Sequence, residues 1–144
     1  MILAVAALFT AVSCKSSSSD PAPDPAGPKI VVTIDKAELN TGEFISVSGE
    51  LTSGSNFVKM VGSVSFTSAP TAVMAHPSSK LKSLDVQWAT SKDFPLESKT
   101  NLTLVNMALF QVPDNAAPGI YKLKLVAYDS ANKTAEQIIP FEIY

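Results

Sequence analysis

Hydrophobic and polar residues alternate with a period of two along much of the chain after Pro28. In residues 45–51, for example, Ile45, Val47 and Leu51 alternate with serine and glutamate. Because successive side chains of a strand point to opposite faces, this alternation predicts strands that bury one face in a core. The segments that alternate in this way, or are rich in β-branched residues, are residues 30–35, 45–51, 57–67, 84–88, 100–112, 120–129 and 134–144.

Turn-forming residues separate these segments. Glycine, asparagine and serine cluster at residues 40–42, 52–56 and 130–133, and the prolines and serines of residues 68–83 predict a long irregular connection. Gly62 and Asn106 are the positions where we expect bulges. Since no window has a sustained apolar period of 3.6 residues, the pattern predicts an all-β fold, a β-sandwich of about seven antiparallel strands.

The last two predicted strands resemble a known family. Residues 118–129 have the pattern P-G-x-Y-x-L-x-L-x-A-x-D, followed by a short polar loop and a final strand, which resembles the end of immunoglobulin-like domains in bacterial surface proteins. The resemblance implies an immunoglobulin-like β-sandwich over residues 29–144, with Tyr121 hydrogen-bonded to the preceding loop as a tyrosine corner. Pro140 cannot donate to a neighbouring strand, so the last strand is expected to be an edge or bulged strand.

The N-terminus has a different composition. Residues 1–12 form an apolar run that is shorter than the roughly 20 residues of a membrane span and is typical of a secretory signal peptide. Ala11-Val12-Ser13-Cys14 resembles the lipobox of lipoproteins of gram-negative bacteria, which implies that residues 1–13 are a signal peptide and that Cys14 is lipidated. Within that family, Lys15 in place of aspartate implies an outer-membrane location. An ordinary signal peptide followed by a spare cysteine is the alternative.

The composition of residues 14–28 predicts a flexible tether between the lipid and the domain. Four serines, Ser16 to Ser19, cannot form a core, and the prolines at positions 21, 23, 25 and 28 favour an extended chain. The tether leaves two orientations open, because the domain could face the periplasm or the cell surface.

Composition excludes several kinds of site. The formal net charge is -2 and all cations are lysines, so the chain lacks the basic excess of a nucleic-acid-binding protein. Cys14 is the only cysteine and His76 the only histidine, which leaves no ligand set for a cysteine- or histidine-based metal site. We expect no metal and no cofactor.

The chain also has little that predicts catalysis. His76 would have to serve any Ser-His-Asp triad, yet it lies in the irregular connection and no G-x-S-x-G motif occurs. The carboxylates are scattered rather than paired. The sequence therefore predicts a protein that is not an enzyme.

Three surface features are candidates for binding or modification. Trp88 could stack on sugar rings as a glycan platform, but it shares its face with Leu84 and Val86, which favours a position in the core between the sheets. Ser130, in Asp129-Ser130-Ala131, resembles a short acceptor for bacterial O-glycosylation. Outward positions of the last two strands could form a partner surface; these are Val126, Tyr128, Ile138 and Tyr144.

These observations predict a lipoprotein attached to the membrane through Cys14, whose sandwich is a non-catalytic protein-interaction or structural module. A glycan-binding accessory domain of a polysaccharide-uptake system is one alternative, and a hydrolytic enzyme is another.

Overall fold

The computed structural model describes residues 26–70 and 85–144, none of which is helical. The strands in chain order are β1 (Lys29–Ile34), β2 (Glu38–Leu39), β3 (Phe44–Thr52), β4 (Phe57–Ser68), β5 (Thr90–Pro95), β6 (Asn101–Gln111), β7 (Gly119–Asp129) and β8 (Thr134–Ile143).

These strands form two sheets. One sheet has the order β1-β3-β6, and the other has the order β2-β8-β7-β4-β5. All neighbouring strands are antiparallel except β2 and β8, which are parallel. The described chain is therefore a small all-β domain with two sheets, consistent with an immunoglobulin-like sandwich.

One hydrophobic core lies between the sheets, because each sheet turns the apolar side of its alternation inward. Val47 of β3 and Leu125 of β7 are both fully buried. Aromatic rings meet across the gap, with Phe94 of β5 edge-on to Phe110 of β6 at 5.6 Å between ring centroids. Burial of a large apolar side chain contributes about 1.5–3 kcal/mol, so this core is the main source of stability.

The tyrosine corner expected from the sequence is confirmed. The Tyr121 hydroxyl donates a 2.7 Å hydrogen bond to the backbone carbonyl of Ala117, four residues earlier. The ring is fully buried and stacks on Phe141, with centroids 5.7 Å apart and planes inclined by 24°. Tyr121 thereby fixes the loop before β7 onto the core.

Of the two expected bulges, one is confirmed and one is wrong. Asn106 has a left-handed backbone (φ 51°) at a register shift between β3 and β6, and its N–H donates to the Ser48 hydroxyl at 2.9 Å. Gly62, by contrast, pairs regularly on both sides. A Cβ at this position would lie 3.0 Å from the Phe94 ring and 3.1 Å from the Phe110 ring, so a larger residue would require these rings to shift by a few tenths of an ångström.

The strand expected at residues 84–88 is wrong for its described part. Val86 makes only an isolated parallel bridge to Ala116, and its backbone groups bond to Asn115 and Ala117 in the loop before β7. The chain instead forms β5 a few residues later, at Thr90–Pro95.

The outer edge of β8 is only partly covered by another strand. β8 lies between β2 and β7, but β2 pairs only with Glu142 and Ile143. Among the residues that the structure describes, no strand therefore pairs with the outer side of Pro140, and β8 is an edge strand at this position as expected. Three residues before Pro140 in β8, the Gln137 amide accepts from the Val32 N–H at 2.9 Å and donates to the Val32 carbonyl at 2.7 Å. This side chain joins the two sheets where no strand does.

Candidate interaction surface

The outer face of the five-stranded sheet carries most of the residues that the sequence suggested as a partner surface. Alternation along β7 buries Leu125 and Ala127 completely and leaves Val126 and Tyr128 half-buried on the opposite side. The register between β4 and β7 places Val61 beside Val126 and Lys59 beside Tyr128. We call Val61, Val126 and Tyr128 the apolar strip.

Ion pairs border the apolar strip on two sides. Lys59 pairs with Asp93 of β5 at 2.8 Å, and Lys124 pairs with Glu136 of β8 at 3.1 Å. The Lys59 ammonium also lies 5.4 Å from the centre of the Tyr128 ring, within range of a cation–π contact. Because all four charged groups are substantially exposed, these pairs contribute little to stability.

The electrostatic effect of this arrangement is local. The hydrogen bond from Lys59 to Asp93 raises the pKa of the Lys59 ammonium, so it remains a cation beside the ring of Tyr128. The surface thus combines apolar side chains with charges of both signs held in defined positions.

Ile138 and Tyr144 do not join the apolar strip equally. Ile138 is 51% exposed and pairs with Lys124, one outward position along β7 from Val126. Tyr144 follows the end of β8, about 20 Å farther along, because residues on one face of a strand repeat every ~6.8 Å. Its hydroxyl donates to Glu38 at 3.1 Å, so the structure separates it from the other three predicted residues.

Val61 and Lys59 were not among the predicted surface residues. They belong to β4, which is far from β7 in sequence, and only the pairing of the two strands brings them together. The alternation of β4 could have assigned them to its outer face, but it could not have chosen their neighbours.

Trp88 belongs to the segment of the chain that connects β4 to β5. It is half-buried and packs against the core. Its ring is edge-on to Phe110 at 6.3 Å, and its backbone N–H points to the Tyr121 hydroxyl at 3.4 Å. A pocket of about 300 Å³ is lined in part by Phe66, Asp85 and Gln87, and Gln87 is the residue that precedes Trp88 in the chain.

Ser130 is exposed in the hairpin loop between β7 and β8, as a modification site would have to be. The loop is shaped by Asp129, whose buried carboxylate accepts N–H bonds from Ala131 and Lys133 and a hydroxyl bond from Ser53, each at 2.9 Å. Burial raises the pKa of Asp129, but these hydrogen bonds outweigh it and hold the pKa below its ordinary value.

Other predicted features lie outside the described residues, namely the lipidated Cys14, the signal peptide, the tether up to residue 25, and His76. In residues 26–70 and 85–144 there is no cluster of three or more histidine, cysteine, aspartate or glutamate side chains that could hold a metal ion. Within the same ranges, no helix has the length and hydropathy needed to cross a membrane.

A scan against protein-family models gives no match, and a search of curated proteins finds no significant similarity.

Proposed function

We propose that this chain is a lipoprotein of a gram-negative bacterium, anchored in the outer membrane through Cys14, whose sandwich is a non-catalytic protein-interaction module. The observation that carries the interaction role is the apolar strip on a solvent-facing sheet, with an ion pair on either side. The lipid anchor is supported by the lipobox-like stretch that ends at Cys14.

The apolar strip resembles a protein interface in its layout. Interfaces have an apolar centre rich in tyrosine and a polar rim, and cation–π and ion-pair contacts hold rim side chains in place. Tyr128 supplies the aromatic group, while Val61 and Val126 supply β-branched surface at small cost in side-chain entropy. A partner with an apolar patch bordered by charges would complement this face.

Site-specific crosslinking tests the interaction role. A photoreactive residue replaces Ser63, the β4 residue that pairs with Lys124 on the same face, and crosslinking is carried out in intact membranes. We expect a discrete adduct that is lost in Val126→Lys. Val105→Lys is the matched control, because Val105 is 79% exposed on the other sheet.

Two results would count against the interaction role. One is the absence of any discrete adduct from the sheet face. The other is equal loss of the adduct in Val126→Lys and Val105→Lys, which would show that added charge acts without regard to position.

Detergent phase partitioning tests the anchor separately. Each buried methylene contributes ~0.8 kcal/mol and two acyl chains suffice for stable attachment, so the lipidated chain should enter the detergent phase. Cys14→Ser should stay in the aqueous phase, whereas the control Ser17→Ala should partition like the wild type. If wild type and Cys14→Ser both remain aqueous, the proposed anchor is wrong.

Glycan binding is the second candidate function, and the pocket close to Trp88 favours it. Phe66 offers an aromatic surface there, and Asp85 and Gln87 offer polar groups of the kind that fix sugar hydroxyls. Titration with bacterial and plant polysaccharides should quench the fluorescence of Trp88, the only tryptophan, and Gln87→Ala should weaken the effect. Unchanged fluorescence across the panel would remove this candidate.

A further inference from the structure

A second pocket lies at the end of the five-stranded sheet, far from the apolar strip. It has a volume of about 310 Å³ and forms where the two-residue strand β2 meets the last residues of β8. Its lining is mostly apolar and includes Ala37, Ile120, Pro140 and Phe141, and the two glutamates Glu38 and Glu142 also belong to it.

Glu142 is the unusual member of this lining. Glu142 is only 3% exposed. Neither of its carboxylate oxygens has a hydrogen-bond partner among the residues that the structure describes. Its backbone N–H donates to the Ala37 carbonyl at 2.9 Å, which fixes its position between β2 and β7. A buried carboxylate without a donor is unfavourable, so this group is suited to a ligand that brings donors or positive charge.

Further negative charge lies beside it. The parallel register pairs Glu38 with Glu142, and the Glu38 carboxylate accepts the Tyr144 hydroxyl at 3.1 Å. Burial, followed by the carboxylates of Glu38 and Glu142, raises the pKa of Tyr144, whereas Lys36 opposes this. Lys36 is itself paired with Glu43, and the described lining residues include two glutamates and no lysine.

The chemistry of the pocket distinguishes among cations. Calcium takes six to eight oxygen ligands, and magnesium a near-octahedral set, whereas this pocket offers two carboxylates on mostly apolar walls. An ammonium group on an alkyl chain needs only a few acceptors for its N–H donors and gains from apolar contact along its stem.

We infer that this pocket binds an aliphatic primary ammonium group, with Glu142 as the buried acceptor, Glu38 at the rim and the alkyl chain against Ile120 and Pro140. The ammonium group could belong to a small amine or to a lysine side chain. The inference does not rest on the proposed function, because it uses neither the apolar strip nor the lipid anchor.

Binding of simple amines tests the inference. The full chain in detergent micelles is titrated at neutral pH with n-butylammonium and, separately, with Nα-acetyl-lysine methylamide, while the backbone amide signals of Ala37 and Ile120 are followed by NMR. We expect both signals to shift in a saturable manner. Tighter binding of n-butylammonium indicates a small amine as the natural ligand, and tighter binding of the lysine derivative indicates a lysine side chain.

Variants locate the acceptor. Glu142→Gln should weaken binding at least tenfold, because it removes the buried charge while keeping the side-chain shape. Glu136→Gln is the matched control, since Glu136 is an exposed outward residue of the same strand, and its affinity should stay within twofold of wild type. Glu38→Gln should weaken amine binding severalfold. Because Glu38 is exposed, this variant should still fold, and it tests the inference if Glu142→Gln does not fold.

Four results would overturn the inference. The first is that neither amine binds, and the second is that tetramethylammonium, which has no N–H donor, binds equally well. The third is that low concentrations of calcium displace the amines, and the fourth is that Glu142→Gln and Glu136→Gln lose the same amount of amine affinity.

Discussion

The hydroxyl of Tyr121 offers the sharpest test of what holds the sandwich together. In Tyr121→Phe the ring keeps its stacking on Phe141 and its edge contact with Phe66, so the substitution removes only the oxygen. That oxygen donates to the Ala117 carbonyl at 2.7 Å and lies 3.4 Å from the Trp88 N–H. The variant therefore separates the two polar contacts of the hydroxyl from the packing of the ring.

The expected loss follows from the burial of the partners. A typical hydrogen bond contributes about 1 kcal/mol net, and a buried acceptor left without a donor costs about 1–3 kcal/mol. Ala117 is 4% exposed, so water cannot readily replace the hydroxyl. We expect Tyr121→Phe to lower the free energy of unfolding by roughly 2 kcal/mol, and the melting temperature by roughly 6–10 °C for a domain of this size.

Urea denaturation of the full chain, followed by the fluorescence of Trp88, measures this change. Tyr128→Phe is the matched control, because the Tyr128 ring lies on the outer face under Lys59 and Phe retains that contact. The control should stay within about 0.5 kcal/mol of wild type, as surface substitutions usually do. A Tyr121→Phe variant as stable as the control would refute the argument that the corner bond stabilises the fold.

Three further predictions concern the edges, the sheet and the hairpin loop. Gln137→Leu should destabilise the domain by about 2–3 kcal/mol in urea denaturation, because it removes the hydrogen-bond partners of both the N–H and the carbonyl of Val32. An unchanged urea midpoint would contradict this. Gly49→Ala should prevent or severely impair folding, because the φ angle at this position is 151° and a Cβ would lie 2.2 Å from the Val31 carbonyl oxygen. Circular dichroism measures this, and a well-folded variant would contradict the prediction. Asp129 has a lowered pKa in the folded state, so its contribution to stability is present above its ordinary pKa of 3.8 and is lost as the pH falls through the folded pKa. The urea midpoint of Asp129→Asn should therefore be lower than that of wild type at pH 7, with the difference shrinking below pH 4; a constant difference between pH 7 and 3 would be inconsistent with the carboxylate contacts.

Local alternation predicted most strands, and its failures have physical causes. The segment 90–95 contains one buried residue, Phe94, among exposed polar ones, so β5 had almost no periodic signal. Val86 and Trp88 do alternate, but the backbone of Val86 bonds to the loop before β7 rather than to a strand. Periodicity reports which side chains prefer burial, and it does not report which backbone is available for pairing.

Single residues show the same division. The resemblance to immunoglobulin-like domains implied a bond from Tyr121 to the preceding loop, and the structure identifies the acceptor as Ala117, four residues earlier. The tight space around Gly62 could not be predicted in this way, because the Phe94 and Phe110 rings that a Cβ would crowd come from two other strands.

The candidate sites depended still more on tertiary structure. The outward assignment of Val126, Tyr128 and Ile138 follows from alternation, but Val61 joined them only through the pairing of β4 with β7. Nothing in the sequence marked Glu142, which is an ordinary polar residue in an alternating strand until β2 is placed beside it.

The alternation of apolar and polar residues was enough to predict that the chain forms strands and which faces of most of them are apolar. These properties depend on residues within a few positions of one another, and the period-two geometry of a strand converts them directly into structure. The bond between Gln137 and Val32, 105 residues earlier, and the position of Glu38 beside Glu142 are visible only in the assembled fold. Such contacts join strands that are distant in the chain, and they form only because burying the apolar faces of both sheets in one core brings those strands together.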